Sequence, residues 1–216
     1  MEFDIGNFPL TGILRGLPSA HAVPVGELLQ GCGFRILEVP LNSPDPFLSI
    51  AALADMATRS SANCLIGAGT VLDLEAVRET HAAGGRLIVT PNCEPAVIRE
   101  ALRLEMQVMP GIATPTEAFS ALQAGARMLK LFPAATYGPR HLTALRSVLP
   151  RDVRVIPVGG VRAQDIPMWV EAGAAGFGFG SELYKPDYAL AEIGQRAQQL
   201  VQAARAARSA QSAAAP

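Results

Sequence analysis

A single (β/α)8 barrel is the fold this sequence predicts, on three observations. Eight short apolar runs recur along the 216 residues, their centres 20 to 29 residues apart. The runs lack the alternation of a half-exposed strand, which indicates parallel strands buried on both faces. Helix-like stretches fill the intervals, and barrels of this kind begin at ~200 residues. An open doubly wound sheet is the competing architecture. It needs a reversal of strand order that the even spacing does not call for.

In chain order, the first run is Gly12-Ile13-Leu14-Arg15-Gly16 and the second Phe34-Arg35-Ile36-Leu37-Glu38-Val39-Pro40. Cys64 to Thr70 is the third and Arg86 to Pro91 the fourth. Gln107-Val108-Met109-Pro110-Gly111 and Arg127-Met128-Leu129-Lys130-Leu131-Phe132-Pro133 follow. Arg154 to Gly160 and Gly176 to Ser181 complete the eight. The intervening helices carry start and stop signals. Asp73 precedes one apolar face as an acidic cap, and Thr114 stands before Pro115 at the first helical position. Gly33, Gly125 and Gly173 sit where helices should end. Residues 1–205 are expected to form the barrel, and the alanine-rich stretch 206–216 to fray.

Composition excludes several function classes. The net charge of −1 and scattered arginines argue against a nucleic-acid surface. No apolar run approaches the ~20 residues that span a bilayer. Residues 1–7 lack the basic and apolar regions of a signal peptide, so a cytoplasmic protein is expected. Cys32, Cys64 and Cys93 show no zinc spacing and read as reduced thiols. His21, His81 and His141 lack a partnering pattern, and Trp169 reads as a packing residue.

The chemistry points to strand six. Of 18 basic residues, only Lys130 and Lys185 are lysines, and Lys130 lies inside an apolar run. A buried ammonium is costly, and burial lowers its pKa toward the neutral amine that Schiff-base chemistry uses. The alternative is a lysine that snorkels to water or pairs with a carboxylate. Glu38 is a carboxyl in an equally apolar strand; it is an acid–base candidate if burial raises its pKa, or else a simple ion-pair partner. Barrel active sites lie at the C-terminal ends of the strands. There stand Arg15, which could clamp a carboxylate or phosphate or form a rim salt bridge, and Thr70, a ligand hydroxyl or a helix cap. Gly159-Gly160 and Gly180-Ser181 close strands seven and eight, where barrels often hold phosphate.

The segments Gly-Ile-Leu-Arg-Gly (12–16), Glu-Val-Pro-Leu-Asn-Ser-Pro (38–44), Gly-Ala-Gly-Thr-Val (67–71), Leu-Lys-Leu-Phe-Pro (129–133), Pro-Val-Gly-Gly-Val (157–161) and Gly-Ser (180–181) are informative together. They resemble, in order and from about residue 8 to about 200, the class I aldolases of the Entner–Doudoroff type. These cleave 2-keto-3-deoxy-6-phosphogluconate or -phosphogalactonate. The resemblance implies that Lys130 forms the Schiff base and Glu38 moves protons. Arg15 and Thr70 would hold the pyruvoyl end, and Gly159, Gly160, Gly180 and Ser181 the phosphate. Pro91, Phe132 and Val158 fall among the substrate-binding positions. The resemblance is strongest to the galactonate branch, because Pro40-Leu41-Asn42-Ser43 and Val158 stand where gluconate enzymes carry a Thr-Leu-Arg-Thr type of segment and a Thr. A gluconate or dual-specificity enzyme is the alternative. A non-catalytic phosphosugar-binding barrel is the alternative of a different class, and it leaves Lys130 unexplained. Pyruvate and D-glyceraldehyde 3-phosphate are the implied products, no metal or other cofactor is required, and a homotrimer is expected.

Overall fold

A computed structural model describes residue 6, residues 8–60 and residues 64–214. The expectations for residues 1–5 and 7 and for the last two residues of the chain lie outside the described residues. The order is β1 (Leu10–Ile13), α1 (Ala22–Cys32), β2 (Ile36–Pro40), α2 (Pro46–Arg59), β3 (Leu65–Gly69), α3 (Leu74–Ala82), β4 (Leu87–Val89) and α4 (Pro95–Arg103). Then come β5 (Gln107–Met109), β6 (Gly111–Ile112), α5 (Pro115–Gln123), β7 (Met128–Leu131), α6 (Ala134–Arg146), β8 (Arg154–Pro157), α7 (Ile166–Glu171), β9 (Phe177–Phe179) and α8 (Leu190–Ala214).

Every predicted run contains a strand, with two differences. The fifth splits into β5 and β6, because Pro110 has no N–H for the ladder. The first begins at Leu10, two residues before the apolar run, and ends at Ile13, so that Arg15 and Gly16 lie in the loop beyond it. All strand pairs are parallel. Six strands form one sheet in the order β5-β4-β3-β2-β1-β9, and three form another in the order β6-β7-β8. The sheets meet on one side through a parallel bridge between Val158 and Gly178. On the other side Pro110 joins β5 to β6 in sequence, and the Pro110 carbonyl accepts from the Lys130 N–H at 2.8 Å.

Two apolar clusters divide the side chains. Ile13, Ile36, Leu65, Leu87, Val89, Met109, Met128, Ile156 and Val158 form a small inner one drawn from seven strands of both sheets. The larger cluster packs the other strand faces against the helices and includes Leu37, Val39, Ile66, Leu129, Leu131 and Val155. Alternate residues of one strand therefore enter different clusters, as the two-residue period of a strand requires.

Local signals act as expected. The Asp73 carboxylate accepts from the Ala76 N–H, and Thr114 with Glu117 forms a reciprocal capping box at the start of α5. Gly33 ends α1 in the left-handed conformation. Trp169 is buried in the larger cluster. The last helix runs through the stretch expected to fray as far as Ala214. Ala207 is buried there, and Gln211 Nε2 donates to the Val170 carbonyl. Among the described residues no helix is long and apolar enough to cross a membrane.

Candidate active site

Register brings the chemical groups together. Glu38 lies opposite Ile13 on one side and Gly67 on the other, with Ile36 two residues below it in the inner cluster. Lys130 pairs in register with Gly111 and Ile156, two residues above Met128 of the same cluster. Both side chains thus project into the space between the two sheets, and both are buried, at 2% and 7% exposure. They are the expected burials, reached by two strands far apart in sequence.

Burial pushes the Glu38 carboxyl up from its ordinary range, against the opposing pull of Lys130 and Arg15. It pushes the Lys130 amine down; Glu38 pulls that value back up and Arg15 lowers it further. The two groups feel each other's charge, yet among the described residues no ion pair joins them. Among the described residues Glu38 Oε2 has no hydrogen-bond partner. A carboxyl that is buried, with one oxygen unpartnered among the described residues, and shifted toward neutrality is suited to passing protons. An amine whose charge is disfavoured is suited to nucleophilic attack. The Lys130 ammonium nitrogen also stands 4.8 Å from the Phe132 ring centre, so Phe132 lines the same space.

Gly69 makes room for this arrangement, and the sequence did not single it out. A side chain there would overlap the Glu38 carboxylate. The available signal was its position two residues after Gly67, on the strand that pairs with Glu38.

At the strand ends, Arg15 is exposed; its Nη1 donates to Asn42 Oδ1 at 2.5 Å and its Nη2 reaches Thr70 Oγ1 at 3.5 Å. Arg15 therefore forms neither a rim salt bridge nor a free tether. Thr70 does not cap the following helix, which Asp73 caps. Instead it holds φ at 57°, a left-handed value unusual for a β-branched residue. In the sequence Asn42 stands out only as part of the segment Pro40-Leu41-Asn42-Ser43, with no working role attached. Its place in a polar pair just after β2 was the signal.

Gly159 and Gly160 follow β8 with φ of 95° and 75°. A Cβ on Gly159 would press on the Phe132 ring and one on Gly160 on the Ala135 methyl. The carbonyls of Val158 and Gly159 accept from Ala134 and Ala135, pinning the start of α6 to this turn. The Gly159 N–H faces β9 in the parallel bridge between Val158 and Gly178, whereas the Gly160 N–H has no acceptor among the described residues and is one backbone donor available to an anion. Just after the neighbouring strand β9, Gly180 offers open space, its carbonyl accepts from Leu183 and Tyr184, and Ser181 is exposed. Pro91 lies against Gly111, whose N–H donates to Thr90 Oγ1, so it borders the strand that pairs with Lys130. Val158 belongs to the inner cluster and packs on Gly178. His141 bonds the Ala113 carbonyl and lies tilted against the Tyr137 ring.

Comparison with known proteins bears on the same residues. A family model described as KDPG and KHG aldolase matches residues 6–200. A probable 2-dehydro-3-deoxy-6-phosphogalactonate aldolase of Rhizobium meliloti (strain 1021) is 49% identical over 189 residues, covering 88% of each chain. The 2-dehydro-3-deoxy-6-phosphogalactonate aldolase of Escherichia coli (strain K12) is 45% identical over 195 residues, 90% of this chain and 93% of that one. A solved structure, described as native KDPGal, superposes with a TM-score of 0.91 at 43% identity, covering 94% of this chain and 98% of that chain.

Proposed function

Because the chain belongs to the KDPG and KHG aldolase family, a family of carbon–carbon lyases, we propose that it cleaves 2-dehydro-3-deoxy-6-phosphogalactonate to pyruvate and D-glyceraldehyde 3-phosphate through a Schiff base on Lys130. The observation that carries this reading is the buried, unpaired juxtaposition of Lys130 and Glu38 in one inner space. The neutral Lys130 amine adds to the C2 ketone, and loss of water from the carbinolamine leaves a protonated imine. Glu38, through a water, accepts the proton of the C4 hydroxyl as the C3–C4 bond breaks. The bonding pair passes into the imine to give an enamine, and the aldehyde leaves. Protonation at C3 and hydrolysis then release pyruvate and restore the amine. The imine is the electron sink, so this chemistry needs no metal or other cofactor.

In this reading Arg15 and Thr70 grip the pyruvoyl carboxylate. Gly159, Gly160, Gly180 and Ser181 receive the 6-phosphate on backbone N–H groups and a hydroxyl. Pro91 and Phe132 wall the reacting carbons. Support for the phosphate assignment comes from the left-handed glycine pair and from the Gly160 N–H, which has no acceptor among the described residues. The two sheets are read as arcs of one (β/α)8 barrel within a single domain of residues 1–205. The shared inner cluster and the Val158–Gly178 bridge support that reading. A homotrimer in the cytoplasm is the expected setting, with neither nucleic acid nor membrane as partner.

The galactonate preference rests on Val158, an apolar side chain where a hydroxyl would meet the C4 substituent, and on the names of the two relatives. The test is cleavage of the two C4 epimers, followed through pyruvate release. The galactonate epimer should have the higher kcat/KM, and Val158→Thr should shift the ratio toward gluconate by about 10-fold, the scale of one hydrogen bond. An unchanged ratio would place specificity elsewhere, and no cleavage of either epimer would refute the reading.

A further inference from the structure

Arg15 is held at the strand ends without a carboxylate, unlike the ion-paired arginines. Arg59, Arg78, Arg103, Arg162 and Arg196 each pair with a carboxylate. Among the described residues Arg15 has no such partner, and its bonding side chains are the amide of Asn42 and the hydroxyl of Thr70. Its charge is nonetheless felt by both Glu38 and Lys130. We propose that Asn42 is a positioning residue for the keto-acid carboxylate, whose neutral amide fixes the Arg15 guanidinium without neutralising it. The proposal rests on the aldolase reading above.

The loop after β2 is built as a clamp. Ser43 is buried; its Oγ accepts from the Gly16 N–H at 2.9 Å, while its own N–H donates to the Pro40 carbonyl. Consecutive residues of one loop, Asn42 and Ser43, thus hold consecutive residues of another, Arg15 and Gly16. Gly16 needs its missing side chain here: its φ is 79°, and a Cβ would meet the Pro186 ring. The backbone at Arg15 is therefore pinned, and the remaining freedom lies in its long side chain. A guanidinium carries five N–H donors in a rigid fork. Asn42 takes one and Thr70 approaches a second, which leaves donors for a two-point grip on an incoming carboxylate. An aspartate at 42 would hold Arg15 equally well and cancel the charge that the substrate needs. An alanine would leave the charge and release the aim.

Condensation of pyruvate with D-glyceraldehyde 3-phosphate separates these effects, because one substrate carries the carboxylate and the other the phosphate. Asn42→Asp is expected to raise the KM for pyruvate by about 10-fold or more, and Asn42→Ala by several-fold, the range for a charge-assisted hydrogen bond. The KM for D-glyceraldehyde 3-phosphate should stay within twofold and kcat within about threefold. A loss of folded protein would instead depress the apparent kcat and leave both KM values unchanged. In an Arg15→Ala background, Asn42→Ala should add less than twofold, since Asn42 acts through Arg15. A pyruvate KM unchanged in Asn42→Asp, or a full additive loss in the Arg15→Ala background, would overturn the proposal. An unmutated protein that condenses nothing would overturn the aldolase reading itself, and this inference with it.

Discussion

Replacing Glu38 by Gln should leave the protein nearly inactive and, at neutral pH, more stable. Glu38 is buried at 2% exposure, its Oε2 has no partner among the described residues, and burial raises its pKa. A carboxyl whose folded pKa exceeds its unfolded value of about 4.3 contributes most at low pH, below that value. As pH rises from there to the folded pKa, the unfolded chain releases the proton and the native state keeps it. Stability then falls by about 1.4 kcal/mol for each pH unit of that window. Glutamine has nearly the same volume and does not titrate. The two proteins should therefore unfold at similar temperatures near pH 4, and the variant should gain as pH rises and then level off. In a chain of this size each kcal/mol moves Tm by about 2–4 °C. Turnover should drop by roughly 10²–10⁴-fold, the usual contribution of a positioned acid–base. The assays are thermal unfolding from pH 4 to 8 and pyruvate release from the phosphorylated substrate. A stability difference that does not change with pH would refute the buried, titrating carboxyl, and undiminished turnover would remove Glu38 from proton transfer.

Two further substitutions probe the same site. Gly69→Ala puts a methyl group where the Glu38 carboxylate lies, so the carboxylate must swing aside. The variant should lose roughly 10²-fold in turnover, as misplaced groups do, and about 1–3 kcal/mol of stability to overpacking; activity within twofold would show that Glu38 has another place to stand. Thr70→Gly removes a β-branched residue from a φ of 57°. Relief of about 1–3 kcal/mol of strain, less the chain entropy of glycine, should leave Tm unchanged or higher while the KM for the keto acid rises. A clear fall in Tm would mean that the Thr70 conformation carries no strain.

Strand existence could be read from the chain because parallel strands buried on both faces are written as uninterrupted apolar runs. Lys130 and Glu38 stood out for the same reason, as single ionisable groups inside such runs. Lateral pairing was less accessible. The break at Pro110 depends on where a missing N–H falls in the ladder, and β1 begins at Leu10, earlier than its apolar run indicates. The site's supporting parts were harder still. Nothing local says that Gly69 lies under the Glu38 carboxylate or that Asn42 meets Arg15 across 27 residues, because both depend on register between strands. Thr70 was open between helix cap and ligand; its left-handed backbone and the Asp73 cap decide against the first.

Borohydride reduction in the presence of pyruvate, followed by peptide mass analysis, tests the central assignment most directly. A reduced pyruvoyl adduct is predicted on Lys130 and on neither Lys185 nor the N-terminus, and a folded Lys130→Met variant should carry none. Folded protein that turns over substrate with Lys130 unmodified would contradict the Schiff-base account.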